Sequence, residues 1–363
     1  MGGLKLINIS KKIGGKKVLD NVNLTIPEGV FTALLGPAGA GKTTLLRIIA
    51  GVESPDSGKI IIDNKDVTGL PPKYRNVAMV YQTFALYPHM KVFDNIANPL
   101  KAKGMKPDEI RRKVMDVAEL LRIPHLLERY PRELSGGEMQ RVALARAIVK
   151  EASVYLLDEP LTNLDYKLRE RMREELRTMS RKMKFTIIYA TSDPIDVLTM
   201  ADQVAVILNG KILAQGPVQE VYERPCCVEV AAALSFPPIN LIDAIVERRN
   251  GTLILKMPFA EIEGTRWADK LSTERKYLIG IRPHQIVLLK DRSAEYDVVL
   301  EAKLHLAHVI GSETICYISI NGYNLRILLP YIYRMTREEE KVFIGFNYDN
   351  LLIFDGQTHA RVV

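Results

Sequence analysis

Residues 36–44 read Gly36, Pro37, Ala38, Gly39, Ala40, Gly41, Lys42, Thr43 and Thr44. They fit G-x-x-x-x-G-K-[ST], a loop whose backbone N–H groups wrap phosphates. Glycine at 36, 39 and 41 lets the backbone turn tightly and approach an anion with no Cβ in the way. Lys42 would reach the outer phosphates of a nucleotide, and the Thr43 hydroxyl would take a place on Mg2+. The apolar VFTALL ahead of the loop reads as a buried strand, and TTLLRIIAG behind it as an amphipathic helix. A helix that starts at the loop adds its dipole to the anion site. Strand, loop and helix in this order predict that the chain binds a nucleoside triphosphate.

Two further groups carry chemistry. VYLLDEP, residues 154–160, places Asp158 and Glu159 at the end of an apolar strand, where ligands collect in α/β sheets. The first carboxylate suits a metal shell and the second the polarisation of an attacking water. The third group is LSGGEMQRVALARAIV, residues 134–149. Ser135, Gly136 and Gly137 open a helix whose free N–H groups favour an anion, with Glu138 in its first turn. An ordinary helix cap accounts for Ser-Gly-Gly-Glu equally well. Its position just ahead of Asp158 and Glu159 is what favours a functional reading.

The elements that must hold these groups follow from periodicity. LKLINIS and VLDNVNLTI, either side of KKIGGKK, predict a hairpin, and SGKIIIDNKDV predicts a second, exposed one. NVAMVYQ is a short strand ending at Gln82. Residues 84–150 change to helical spacing, with Val114, Val117, Leu120 and Leu121 on one face. VYLLDE and FTIIYAT are continuous apolar strands, and VAVILNGKILAQG is a hairpin around Asn209 and Gly210. Strands alternating with helices predict an α/β core on a largely parallel sheet. Near Ser235, Phe236, Pro237 and Pro238 the pattern changes to short strands, which predicts a small all-β barrel or sandwich. The expected domains are 1–235 and 236–363.

Composition sets bounds. An apolar fraction of 47% with 26% charged is ordinary for a globular protein. No apolar run approaches the ~18 residues of a membrane span, and the N-terminus lacks a signal-peptide core. Cys226, Cys227 and Cys316 show no metal-ligand spacing and suggest a reducing compartment, with Cys226 and Cys227 at the surface. The net charge of +7 is scattered, which fits a solvated surface. His284, His305 and His308 lack partners at metal spacing, and Trp267 reads as packing. These features predict a cytosolic protein.

GPAGAGKT, Gln82, LSGGE, LLDEP and LTNLD in that order resemble the ATP-binding-cassette ATPases. GLPPKYRNVAMVYQTFALYPHMKVFDNIANPL, YERP and GIRPHQIVLL are similar to the sugar- and polyol-importer branch, of which the maltose-transporter ATPase is one member. The resemblance covers the whole chain. It implies an α/β P-loop NTPase with a RecA-like core, antiparallel and helical subdomains, and a C-terminal regulatory domain of OB-like (TOBE) type. It implies ATP and Mg2+ as ligands, with Thr43, Gln82 and Asp158 around the metal, and Glu159 beside the attacking water. It also implies that two subunits clamp two ATPs, each between one subunit's phosphate loop and the other's Ser135–Gly136–Gly137–Glu138. Gln82 would sense the γ-phosphate, Asp165 would cross the dimer interface, and residues 84–89, from Phe84 to His89, would lie near the groove for a permease coupling helix. Two membrane permeases and, indirectly, an extracytoplasmic solute-binding protein follow as partners, with the chain peripheral on the cytoplasmic face.

Two positions depart from that pattern. Ser192 in YATSDP stands where the family carries a histidine against the γ-phosphate, and serine is shorter and cannot carry positive charge. Ile13 stands where an aromatic stacks on adenine, a contact worth ~1–3 kcal/mol by analogy with base stacking. Together they predict an impaired site on this chain beside an intact signature, and so a pairing with a different ATPase paralogue. RNVAMVYQ, NIANPL and YATSDP resemble one member of the paired ATPases of glycerol-type importers, which makes glycerol the expected solute. The alternative is a regulatory subunit that holds ATP without turnover. An ATPase acting on nucleic acid is disfavoured: the interval from Lys42 to Ser135 is too short for an inserted coiled coil, and there is one cassette.

Overall fold

Alternating apolar residues near the N-terminus fold into an antiparallel pair, β1 (Gly3–Ile13) and β2 (Lys16–Pro27), turning at Gly14 and Gly15. The structure, a computed structural model, describes residues 3–363 other than 163, 274, 290, 293, 294, 336 and 338. Then follow β3 (Phe31–Leu35), α1 (Lys42–Ala50), β4 (Ser57–Ile62), β5 (Lys65–Asp66) and β6 (Val77–Val80). Next come three helices, α2 (Val92–Ala102), α3 (Pro107–Leu120) and α4 (Gly136–Ile148), in the stretch expected to be helical. The chain continues with β7 (Val154–Asp158), α5 (Tyr166–Met183), β8 (Ile187–Thr191), α6 (Pro194–Met200), β9 (Gln203–Leu208), β10 (Lys211–Pro217) and α7 (Val218–Glu223).

The core sheet has the order β10-β9-β3-β8-β7-β6, parallel except for β10. Every residue of β3, β7 and β8 is buried, the mark of strands covered on both faces. The helical segment packs Ile96, Val114 and Val142 against one face, and α1 packs Leu45 and Ile49 with β1 and β2 residues on the other. The expected exposed hairpin at β4 is instead partly interior. Strand β4 pairs with β1 and buries Ile60 and Ile62, because the alternation of SGKIII points one face inward.

A buried cation anchors the helix that begins at the phosphate loop. Arg75 is 3% exposed and donates to the carbonyls of Ile48 (2.7 Å), Ile49 (3.2 Å), Thr68 (2.8 Å) and Leu70 (2.6 Å). Two of these acceptors are in the last turn of α1, whose dipole is negative there. Burial holds the Arg75 pKa below its ordinary value. Gly51 caps α1 at φ 78°, and a Cβ there would sit 2.5 Å from Arg75 Nε.

The chain divides into two compact units between Val221 and Tyr222, ahead of the expected boundary near Ser235. Helix α8 (Val228–Ala233) is the reason. Its Val228 and Ala231 cluster with Ile239, Leu352 and Phe354 of the β-rich unit, so it belongs there. That unit contains β11 (Asn240–Arg249), β12 (Thr252–Lys256), β13 (Glu261–Glu263), β14 (Lys276–Ile281) and β15 (Val287–Leu289). It continues with β16 (Val298–Ile310), β17 (Glu313–Ile320), β18 (Tyr323–Leu329), β19 (Glu340–Phe346) and β20 (Leu352–Asp355). They form two antiparallel five-stranded sheets, β13-β12-β11-β14-β20 and β15-β19-β16-β17-β18. Trp267 is buried, edge-on to Tyr348 at 6.1 Å, as packing requires. Cys226 is exposed, Cys227 half-buried, and all three cysteines are free thiols.

Replacing Arg75 with Met should leave four partly or fully buried carbonyls without their donor. We expect the first unit to lose about 2–4 kcal/mol in chemical denaturation, a loss that Arg75→Lys recovers only in part.

Candidate nucleotide-binding site

The site is assembled at the C-terminal ends of three adjacent strands, β3, β8 and β7. Gly36 N donates to Thr191 O at 3.2 Å, and Glu159 N donates to Ala190 O at 3.0 Å, so the segments leaving these strands are stitched edge to edge. Gly41 precedes α1 at φ 102°, and a Cβ on it would meet Leu19 Cδ2 at 2.8 Å. Only glycine fits there, on both backbone and packing grounds. Pro37, Ala38 and Gly39 are exposed while Gly36 and Ala40 are buried, and a Cβ at Gly39 would touch nothing within 4 Å. The loop therefore has a closed inner side and an open outer one.

Lys42 is 4% exposed. Its Nζ donates to the carbonyls of Gly36 (2.7 Å) and Pro37 (3.0 Å) and pairs with Glu159 Oε1 at 3.1 Å. Next to it, Thr43 Oγ1 donates to Asp158 Oδ1 at 3.0 Å. Thr44 follows, half-buried, in the first turn of α1. Lys42, Thr43, Asp158 and Glu159 are thus brought together as the motifs predict. Glu159 itself has φ 44°, a left-handed backbone that a glutamate rarely adopts. Such local strain is held by surrounding structure and clusters at functional sites. Here the bonds to Ala190 and Lys42 hold it.

The residues fit Mg2+ and a triphosphate. The hydroxyl and carboxylate are hard oxygen donors of the kind Mg2+ takes. Burial, opposed by the Thr43 hydrogen bond and reinforced by Glu159, raises the Asp158 pKa, so a nearby cation would relieve a real desolvation cost. The first N–H groups of α1 lack intrahelical partners and face the open loop.

Other predicted residues stand on separate elements. Ser135 caps α4 in a reciprocal box: its N–H and hydroxyl both meet Glu138 Oε2 at 2.8 Å, and Glu138 N donates to Ser135 Oγ at 3.4 Å. The ordinary-cap reading is therefore physically present. A Cβ on Gly137 would lie 2.7 Å from Leu168 Cδ2, so the Leu168 side chain would have to move to admit one. Gly136, one residue earlier, is half-buried. Asp165 caps α5, accepting from Leu168 N at 3.0 Å. Gln82 is exposed in the turn after β6. Ile13 is 48% exposed at the end of β1, opposite Lys16. Ser192 is exposed directly after Thr191.

Residues 84–89 are held by two side chains, Arg146 and Asn95, that lie within quoted motif stretches and carry no assigned role there. Arg146 donates to the carbonyls of Phe84 (2.8 Å) and Ala85 (2.7 Å), both of which have positive φ, and lies over the Tyr87 ring at 5.6 Å. Asn95, fully buried, accepts from Tyr87 N and donates to the Tyr87 and Met90 carbonyls. A buried asparagine inside an apolar helical stretch was the available signal. Arg173 and Asp196, paired in the interior near Ser192, had none, because α5 is charged along its whole length.

Residues 19–162 match the family described as ABC transporter. The trehalose/maltose import ATP-binding protein MalK of Thermococcus litoralis is 39% identical over 100% of this chain and 100% of its own. The sn-glycerol-3-phosphate import ATP-binding protein UgpC is 37% identical in Cupriavidus metallidurans, over 100% of this chain and 99% of its own. Its Yersinia enterocolitica counterpart is 44% identical over 79% of each chain. A solved dimeric ATP-binding cassette in a post-hydrolysis state, bound to ADP and Pi, is 30% identical with a TM-score of 0.54. It covers 59% of this chain and 98% of its own. A nucleotide-free cassette from an ABC transporter gives 26% and 0.55, over 64% and 98%.

The Glu138 pKa is lowered, first by the Ser135 N–H and then by its hydroxyl. A depressed carboxylate stabilises the fold above its unfolded pKa and loses that contribution as pH falls through the folded value. Glu138→Ala should therefore destabilise the first unit at neutral pH, by no more than about 1 kcal/mol for so exposed a carboxylate. In denaturation curves the gap from the parent should shrink as pH drops through the glutamate range.

Proposed function

The chain belongs to the ABC transporter ATP-binding proteins of the sugar-import branch, and from that membership we propose that it powers uptake of a small carbohydrate or polyol. It is an ATPase coupled to transport. Among the described residues no helix is long and apolar enough to cross a membrane. Family membership is what supports the proposed place, the cytoplasmic face of a membrane, against two permease subunits whose coupling helix would dock beside residues 84–89. An extracytoplasmic solute-binding protein would act through them. The relatives' names cover trehalose/maltose and sn-glycerol-3-phosphate import. Glycerol remains our specific candidate, on the local likeness of RNVAMVYQ, NIANPL and YATSDP.

The observation that carries the reading is the convergence of Lys42, Thr43, Asp158 and Glu159 on one loop. In the proposed mechanism residues 36–44 wrap the phosphates with backbone N–H groups. Lys42 exchanges its Glu159 partner for phosphate oxygens, which frees the carboxylate to polarise a water. Mg2+, when bound, would supply charge neutralisation, held by Thr43 and Asp158 with Gln82 nearby. Ile13 would offer the base an aliphatic contact in place of stacking. Ser192, uncharged and short, would give the developing charge little help. Ser135–Glu138 and Asp165 would serve the facing subunit's nucleotide.

The solved relative is dimeric, which supports a second ATPase subunit. That the second subunit is a different paralogue rests on Ser192 and Ile13 alone. The same two residues favour the other reading, a subunit that holds ATP and leaves hydrolysis to its partner. Intact Glu159 separates the two, since a purely structural subunit has no need of it. ATPase assays of the purified chain test the account. Ser192→His should raise turnover at least ~10-fold, and Glu159→Gln should abolish the gain. No gain from the histidine, or full activity of the unmodified chain alone, would contradict an impaired site.

A further inference from the structure

Thr162 and Leu164, which follow β7, and Asp193, which follows the neighbouring strand β8, are tied to α5 by two arginines: Arg173 holds Asp193, and Arg169 reaches all three. Arg173, 6% exposed, donates Nε to Asp196 Oδ1 at 2.7 Å and Nη2 to Asp193 Oδ2 at 2.8 Å. Asp196 is 4% exposed, and its other oxygen accepts from Thr191 Oγ1 (2.7 Å) and Tyr189 Oη (3.1 Å). Thr191 Oγ1 in turn accepts from Asp193 N at 3.0 Å. Ser192 is thus flanked on both sides by residues fixed to one buried cluster. One helical turn earlier, Arg169 lies 3.7 Å from Asp193 Oδ2. Its Nη2 also reaches the carbonyls of Leu164 (3.3 Å) and Thr162 (3.5 Å), just ahead of Asp165.

Charge and geometry make this more than packing. Two carboxylates and two guanidiniums balance, and Asp193 Oδ2 is the atom on which both arginines converge. The Arg173–Asp196 pair is buried and costly to break, because the remaining charge would be left without compensation. The Arg169–Asp193 contact, at 3.7 Å and partly exposed, is the weaker link that ties this pair to Thr162 and Leu164. Asp193 has a separable local duty, since its Oδ1 caps α6 by accepting from Ile195 N at 2.9 Å.

We propose that Asp193, gripped by Arg173 and Arg169, is a positioning residue that joins the turn bearing Ser192 to the loop ahead of Asp165 as one mechanical unit. A displacement of Thr162 and Leu164 is transmitted to position 192 through Arg169 and Asp193, without passing through the phosphate loop. Its consequence for catalysis rests on the reading of Ser192 and Asp165 given above.

Asp193→Asn keeps the Oδ1 acceptor for α6 and removes the charge facing the arginines; Arg173→Lys keeps charge and removes the fork. Hydrogen exchange of the full chain should show peptides covering 160–165 and 190–195 accelerating together, about 10-fold, in Asp193→Asn, with residues 42–50 unchanged. Acceleration of 190–195 alone, or of 42–50 equally, would overturn the proposal. Arg173→Lys, which also weakens the hold on Asp196, should loosen the same two peptides together with α6. In a Ser192→His background, Asp193→Asn should lower kcat about 10-fold at unchanged KM, as loss of positioning does. A raised KM at unchanged kcat would contradict it. If Ser192→His gains no activity by itself, the reading of Ser192 fails, and the exchange pattern decides the coupling independently.

Discussion

An ammonium with almost no access to solvent sits at the mouth of a parallel sheet, and the site is arranged around its needs. With three N–H donors and no acceptor, Lys42 needs oxygen partners there. The loop supplies two carbonyls, from Gly36 and Pro37, and β7 supplies the Glu159 carboxylate. The same constraint explains why the loop must curl back on itself and why the segment after β7 must turn at once, with Glu159 in a left-handed backbone. A bound triphosphate offers the oxygens that these groups now provide. The resting ion pair and the proposed binding reaction are two ways of satisfying one buried charge.

Holding that charge in place requires support some distance away. Arg75 closes the far end of α1, and the edge-to-edge bonds of Gly36 with Thr191 and Glu159 with Ala190 set the spacing of the three strand ends. Both devices use backbone carbonyls as partners. A change in side-chain identity around them disturbs the site only if it moves the main chain.

Much of this was legible in the residues. The unbroken apolar runs of β3, β7 and β8 announced a doubly covered parallel sheet, and the loop, Asp158–Glu159 pair and Ser135 cap lie where their motifs put them. What stayed hidden shares a cause. Arg75, Arg173 and Asp196 are charged residues, and period-based reading sends such residues to the surface. Their burial depends on partners far along the chain, such as Ile48 for Arg75 and Asp196 for Arg173. The unit boundary was missed for a related reason: α8 is short, and only its contacts with Leu352 and Phe354 show which core it serves. Ile60 and Ile62 were placed outside because their strand partner, β1, is separated from them by the phosphate loop and α1.

The proposal that rests on Ser192 and Ile13 is a site that grips its nucleotide without splitting it efficiently. A single-turnover experiment on the purified chain, with ATP labelled at the γ-phosphate and excess protein, separates the two steps. The account predicts labelled ATP that remains bound and intact long after binding is complete, with exchange against unlabelled ATP faster than phosphate release. Phosphate release that keeps pace with binding would contradict it.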